Sequence, residues 1–366
     1  MKQVKAKRRW RAYLRITWAI AAKDIVDAVR NKMVVTLFVA ALCTVMMSQA
    51  LPLFVSLSGK SVVVIYDAGE SRLATALQQS DQFQVRQVDS QAEMEALLID
   101  LNATALGVVV LADFDAELSS GQAPQVDGYV TWAKRAKARE LKADFEQQAG
   151  ELLGRPVRID IGGHVVYPTP DSPGVLGMFA GTLVMMIFIV GGFVVPHLAI
   201  EEKRTRTMDA LLISPVGIGQ VVVGKALAGL FYCLVAGGAA VALQWAAFAH
   251  WGLVISVVVL GSLFVVALGL LMGNLFEDAQ QMGFWMAIPM LVLFSAMFVP
   301  DLGLEMPSFL SALLYWLPTT AMMRVFRLSF TGGATMARAL PDLGAVLGFA
   351  LVLYGVVIWQ VRRMDR

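Results

Sequence analysis

The sequence predicts an all-α polytopic membrane protein. Six transmembrane helices are expected, with an N-terminal interfacial elbow helix, a re-entrant hairpin before the last span, and an α/β extracytoplasmic domain between spans one and two. Three observations predict this class. Hydrophobic residues make up 57% of the chain and charged residues only 16%, against roughly a quarter charged in soluble domains. Charge-free intervals near the length of about 20 residues that crosses a bilayer recur along the chain. The segment 58–171, by contrast, carries the charges and apolar patterning of a water-facing domain.

The elements follow in order. Residues 1–32 hold ten Lys and Arg against only Asp24 and Asp27, which retains the N-terminus in the cytoplasm. Trp18, Ala22, Ile25 and Val29 fall at i, i+4, i+7 and i+11, while Lys23, Asp27 and Arg30 share another face, so this stretch suits an amphipathic helix lying in the interface. The first span covers 33–57; it is too long, and lacks the cleavage site, for a signal peptide. With the N-terminus inside, 58–171 is outside. From Lys60 to Asp171 there are 10 basic and 17 acidic residues, leaving 20 and 11 for the rest of the chain. Ser61–Tyr66 and Leu106–Leu111 read as buried strands. Helical spacing at Leu73 and Leu77, and at Met94, Leu97, Leu98 and Leu101, gives the order strand, helix, helix, strand. Ala133–Leu153 reads as a third helix with Lys134, Arg135, Lys137, Arg139 and Lys142 crowded into its first part, a solvated face beside Glu140, Asp144 and Glu146 in preference to a site for an anionic ligand or lipid.

Residues 172–366 hold the other five spans. Ser172–Ile200 is charge-free, and so are the 51 residues Ala226–Phe276, enough for two spans with a turn near Phe248–Gly252. Ala279–Pro300 and Leu343–Val361 complete the set. Between these two, the segment 303–330 contains Pro307 and Pro318, and proline removes a backbone donor that lipid cannot replace; it reads as re-entrant. Charge counting leaves the alternative open. Six spans put Arg362, Arg363 and Arg366 inside and Arg324, Arg327 and Arg338 outside, and seven would swap the two sets.

Several chemistries are excluded by what the residues lack. Cys43 and Cys233 both fall inside predicted spans, and His164, His197 and His250 are scattered, so neither a disulfide nor a metal centre is expected. No HExxH, GxSxG or CxxC pattern occurs, which leaves a protease or redox enzyme without its working groups. The spans hold essentially no acidic residues of the kind that ion-coupled carriers keep at mid-membrane. Gly219–Lys225 satisfies GxxxxGK, but Ala226 stands where a phosphate-binding loop needs Ser or Thr to hold magnesium, and no strand precedes it. The glycines suit close helix packing and Lys225 suits the headgroups.

The polar island between spans two and three carries the chain's most specific signal. Glu201-Glu202-Lys203-Arg204-Thr205-Arg206-Thr207 is followed by Met208-Asp209-Ala210-Leu211-Leu212-Ile213-Ser214-Pro215 and then by Gly224-Lys225. Thr205 or Thr207 can cap a short helix, Met208, Leu211 and Leu212 give it an apolar side, and Pro215 stops it. This run resembles the signature of the ABC-2 type transporter permeases, and the elbow, the large outer domain and the Pro-punctuated segment before the last span extend the resemblance along nearly the whole chain.

The resemblance implies the permease subunit of an ATP-binding-cassette exporter of the drug-export-like branch. The segment 201–216 would be its coupling helix, with Glu201, Glu202, Arg206, Thr207, Leu211, Leu212, Pro215 and Lys225 receiving the ATPase. Partners would be ABC ATPase subunits, a second copy of this permease or a similar chain, membrane lipid and a periplasmic adaptor, with no nucleic acid. This chain would bind no cofactor and hold no metal or catalytic residue, ATP and magnesium sitting on the partner. The pathway would be lined from spans two and five by Phe179, Met185, Met186, Met290, Phe294 and Met297, an apolar set suited to an amphipathic or hydrophobic substrate, although packed or lipid-facing helices carry the same residues. The location implied is the inner (plasma) membrane of a bacterium, multi-pass, with both termini cytoplasmic. The alternative from another class is a non-transporting receptor or scaffold whose outer domain senses a ligand.

Overall fold

A computed structural model describes residues 2–58, 61–69, 71–80, 83–101, 105–121, 123–170, 175–204, 218–302 and 306–364. Two helices open the chain, α1 (Lys2–Arg30) and α2 (Lys32–Ser58), with a bend of 77° between them at Asn31. Asn31 caps the second: its Oδ1 accepts from Met33 N at 2.9 Å, which satisfies one of the donors a helix start leaves open.

A sheet domain follows, built from β1 (Ser61–Asp67), α3 (Arg72–Gln79), β2 (Phe83–Val88), α4 (Gln91–Leu101), β3 (Ala105–Val110), α5 (Phe114–Ser120), β4 (Gln125–Thr131), α6 (Ala138–Leu153), β5 (Arg158–Asp160) and β6 (Val165–Val166). The strands lie in the order β2-β1-β3-β4-β5, with β6 beside β4. β1 is parallel to both β2 and β3, and β4 is antiparallel to β3. Alternation explains the unbroken apolar run of β1. Val63 and Ile65 pack with Leu73, Leu77, Phe114 and Phe145 on one face, while Val64 packs with Met94 and Leu98 on the other, so both sides of the strand are covered.

Two sequence expectations are corrected in this domain. The order is strand, helix, strand, helix, strand, because Phe83–Val88 forms the edge strand β2 with only Phe83 and Val88 buried; its polar interior, Gln84 to Gln87, hides it from apolar periodicity. The third helix begins at Ala138, since β4 extends to Thr131 and a 3-10 turn, Arg135–Lys137, intervenes. At the carboxyl end of β1, the crevice where such sheets bind ligands, Asp67 is turned onto its own loop and accepts from Gly69 N at 3.1 Å and Ser71 Oγ at 2.9 Å.

The remaining helices are α7 (Val175–Ile189), α8 (Val195–Arg204), α9 (Ile218–Leu243), α10 (Trp251–Leu275), α11 (Ala279–Phe298), α12 (Ser308–Tyr315), α13 (Pro318–Phe330) and α14 (Met336–Met364). A π turn, Val190–Val194, joins α7 to α8 without a break. Pro196 has no N–H to give the preceding turn, and the wide turn accommodates that loss. Gly269 on α10 meets this point so closely that a Cβ there would overlap the Gly191 carbonyl oxygen. Among the described residues five helices are long and apolar enough to cross a bilayer, running Leu176–Arg204, Gln220–Leu243, Trp251–Leu275, Ala279–Phe298 and Met336–Arg363. Two bent pairs, α1 with α2 and α12 with α13, raise the number to as many as seven. With this many apolar helices the chain is a multi-pass membrane protein.

Side-chain contacts orient the bundle relative to the sheet domain. Trp132, at the end of β4, is 2% exposed and stacks on Phe330 of α13 at 5.2 Å, with Phe179 of α7 at its edge. Phe330 in turn stacks on Phe248, before α10, whose carbonyl accepts from the Arg135 guanidinium. Phe298, at the end of α11, lies against Gly181 near the start of α7. The bent pair α12–α13, whose halves meet at 70°, therefore begins and ends at the sheet-domain end. Between those ends Thr319 Oγ1 donates to the Leu293 carbonyl at 2.7 Å, within α11. Met336, opening α14, sits by Gly252 at the start of α10, and the two helices pack side by side to the far end of the bundle.

Candidate functional site

At that far end the ends of four helices meet in a cluster of charges. α8 delivers Glu201, Glu202 and Lys203; α9 delivers Lys225, about two turns in; α1 delivers Lys23, Asp24 and Asp27; and Asn31 stands at the α1–α2 bend. The meeting is built on small residues. Thr17, Ile20, Ala21, Asp24 and Ala28 form the buried stripe of α1 at i, i+3, i+4, i+7 and i+11, and Gly224 of α9 receives it: a Cβ there would lie 2.8 Å from Ile20 Cγ2 and 3.2 Å from the Thr17 carbonyl oxygen. The second glycine of GxxxxGK is a helix-packing residue. Trp18 and Val29, on the apolar face read from the sequence, are 65% and 67% exposed; they point away from the protein, as lipid-facing residues do.

Glu202 is the hub. Its Oε2 pairs with Lys225 and its Oε1 with Lys23 at 3.4 Å. Lys23 also reaches Asp27 at 3.4 Å and Asp24 at 3.9 Å. Glu201, its neighbour, accepts from Asn31 Nδ2, so the two acidic residues tie α8 to both sides of the α1–α2 bend. Lys203 Nζ donates to the carbonyls of Asn274 at 2.8 Å and Phe276 at 3.1 Å, satisfying acceptors that the end of α10 leaves open. Tyr232 completes the contact of α1 with α9 by donating to the Asp24 carbonyl at 2.7 Å. A polar cavity of about 490 Å³ opens beside the cluster, lined by Lys23, Asp24, Asp27, Arg30, Asn31, Glu201 and Glu202 among others.

Burial sets the electrostatics of α1 here. It pushes the Asp24 carboxyl up to about 6, with Lys225 and Lys23 opposing and Glu202 adding to the rise. For Lys23 burial alone would lower the pKa, but the carboxylates of Glu202, Asp24 and Asp27 outweigh it and the group is held above its ordinary value. The cluster is a brace: charged hydrogen bonds, partly shielded from water, that oblige four helix ends to move together.

The expected coupling residues divide around this brace. Glu201, Glu202 and Lys225 are in it, and they flank the segment 205–217. Arg206, Thr207, Leu211, Leu212 and Pro215 lie outside the described residues. Lys23, Asp24 and Asn31 were not foreseen; the one available signal was an aspartate standing in a stripe of small and apolar residues. Of the expected pathway residues, Phe179, Met186 and Met297 are buried within this chain, Met290 and Phe294 are partly buried, and Met185 is 38% exposed. Phe294 sits edge-on to Phe188 at 5.2 Å. Among the described residues no group of His, Cys, Asp and Glu could hold a metal.

No curated protein matches the chain. Residues 33–359 match the family described as ABC-2 family transporter protein, a stretch that runs from the first apolar helix through the sheet domain and the α8 and α9 side of the charged brace to the last helix. The chain therefore belongs to the ABC-2 family of transporter proteins, the transmembrane component of ABC transporters, whose members associate with ABC ATPase subunits.

Proposed function

We propose that this chain is the permease subunit of an ABC exporter and forms half of a translocation pathway for an amphipathic or hydrophobic substrate. The observation that carries the reading is the brace at the far end of the bundle, where Glu202 joins Lys225 and Lys23 while Glu201 holds Asn31. It binds both helices that flank the segment 205–217 to the elbow and the first span. A push on a coupling helix in that segment would be delivered to three spans at once. ATP and magnesium are held by the partner ATPase, whose closure supplies the push, and this chain contributes no nucleotide-binding loop.

In this reading α1 is the interfacial elbow, α2, α7–α8, α9, α10, α11 and α14 are the six spans, and α12–α13 is re-entrant. The packing of α14 along α10 supports it, since it brings Arg362 and Arg363 to the end that carries Lys203. That end is cytoplasmic and the sheet domain extracytoplasmic, in a bacterial inner membrane. Six spans make half a pathway, so a second copy or a similar permease completes it. Phe179, Met185, Met186, Met290, Phe294 and Met297 would line it on α7 and α11, and a periplasmic adaptor would dock on the sheet domain.

Inverted membrane vesicles containing this chain and its cognate ATPase test the reading. They should take up a fluorescent amphipathic dye on addition of ATP and magnesium, and stop when the ATPase is catalytically dead. Equal ATP hydrolysis with no uptake of any member of a chemically varied dye panel would refute export.

A further inference from the structure

A second cavity, of about 510 Å³, opens at the sheet-domain end between the bent pair α12–α13, the end of α11 and the start of α14. Pro170, where the sheet domain joins the bundle, forms part of its wall. Its polar lining is cationic: Arg324, Arg327 and Arg338 face one acidic residue, Asp342. Arg324 is a fixture of the wall. It gives Nε to Asp342 Oδ1 at 3.1 Å and a second nitrogen to the same oxygen, donates to the Tyr315 carbonyl at 2.8 Å, and lies 3.6 Å over the Tyr315 ring. Asp342 is thus already occupied. Arg338, exposed at the rim, makes no side-chain hydrogen bond or ion pair among the described residues, and Arg327 brings a further guanidinium on the adjoining turn of α13.

Deeper in, Thr320 lines the cavity at 4% exposure, and its buried hydroxyl has no hydrogen-bond partner among the described residues. A buried donor left open is costly unless a ligand or water meets it. The rest of the wall is mostly apolar, with Met297, Met306, Leu314, Met323 and Leu328, and the Ser311 hydroxyl donates to the Ser308 carbonyl at 2.9 Å. A guanidinium at the rim, Arg338, a second on a buried residue, Arg327 at 8% exposure, the Thr320 hydroxyl and a methionine- and leucine-lined wall together match a molecule with an anionic head, an ester carbonyl and a chain.

We propose that this cavity binds an anionic phospholipid of the leaflet on the sheet-domain side, its phosphate at Arg338 and Arg327, a carbonyl on Thr320 and one acyl chain along Met306, Leu314 and Met323. A free anion would leave the apolar wall unfilled, and a zwitterionic lipid would set its own cation against the guanidiniums. The site stands whether or not the chain exports anything, since it is drawn from the cavity and not from the coupling end.

Native mass spectrometry of the full chain in a neutral detergent tests it, with phosphatidylglycerol, phosphatidylcholine of the same acyl chains and inorganic phosphate titrated separately. Phosphatidylglycerol should bind in preference to phosphatidylcholine. Arg338→Gln should weaken it about tenfold, the effect expected for loss of one charge-assisted hydrogen bond. Thr320→Val, which keeps the net charge and removes a hydroxyl that has no partner to lose, should also weaken it, while Arg86→Gln on the sheet domain should not. Equal binding of the two lipids, an unchanged Arg338→Gln or Thr320→Val, an equal loss in Arg86→Gln, or displacement of the lipid by inorganic phosphate would each overturn the proposal.

Discussion

Gly224→Ala tests the packing that holds the elbow to the bundle, and Gly238→Ala in the same helix is its control. At 224 an added Cβ would stand 2.8 Å from Ile20 Cγ2, 3.0 Å from Ile20 Cβ and 3.2 Å from the Thr17 carbonyl oxygen. Two of these are β-branch atoms and one is backbone, none of which can swing aside. Relief requires α1 to back away from α9, and overpacking of this kind costs about 1–3 kcal/mol. The better helix propensity of alanine returns about 1 kcal/mol at most. The net change at 224 is therefore a loss of up to about 2 kcal/mol. At 238 nothing lies within 4 Å of the added atom, so the propensity acts alone and the change is a gain of up to about 1 kcal/mol. Thermal unfolding of the two variants in one detergent measures the difference: Gly224→Ala should melt at or below the native chain, Gly238→Ala at or above it, and the first should fall below the second by the overpacking of about 1–3 kcal/mol. Equal melting of the two variants, or a Gly224→Ala that melts above Gly238→Ala, would refute the packing and leave the second glycine of GxxxxGK without a structural role.

Three further outcomes are expected. Glu202→Gln leaves Lys225 and Lys23 without their shared carboxylate, and breaking one partner of a shielded ion pair costs about 3 kcal/mol; a melting temperature equal to the native one would show that the brace carries no load. Trp132→Ala removes the ring between Phe330 and Phe179 and should cost about 3–5 kcal/mol, with protease cutting first at the junction of sheet domain and bundle; unchanged cleavage would argue that the aromatic stack is incidental. Asp24→Asn addresses pH. The folded-state pKa of Asp24, about 6, stands above the ordinary value of 3.8, so its contribution to stability is fully present at the lower value and is lost as pH rises through 6. The variant cannot ionise, so its melting temperature should gain on the native chain between pH 4 and 7; parallel curves would contradict the shielded carboxyl.

Much of the membrane architecture was legible because the bilayer imposes a length: charge-free intervals became helices whose ends fall near the charges, as at Phe276 and Asp278 on either side of the α10–α11 turn. Strand β1 was legible for a related reason, being buried on both faces. What escaped depends on partners distant in sequence. β2 has a polar interior because it is an edge strand, and only its pairing with β1 orders it. Asp24 is buried because Gly224, two hundred residues on, lets α1 approach so closely. Glu202 and Lys225 stood out as charges beside long apolar runs, whereas Asn31 and Lys23 looked like ordinary members of a basic terminus until the fold set them against α8. The cavity under α12–α13 was hidden too: the same arginines that entered the count of positive charges turn out to line one pocket.

The proposed function requires that the island between α8 and α9 receive an ATPase. The measurement that tests it most directly is the amount of cognate ATPase that co-purifies with the tagged chain from membranes, compared between the native protein and Leu211→Asp. The variant should insert into the membrane at native levels and lose its ATPase. An ATPase retained in full by Leu211→Asp would contradict it.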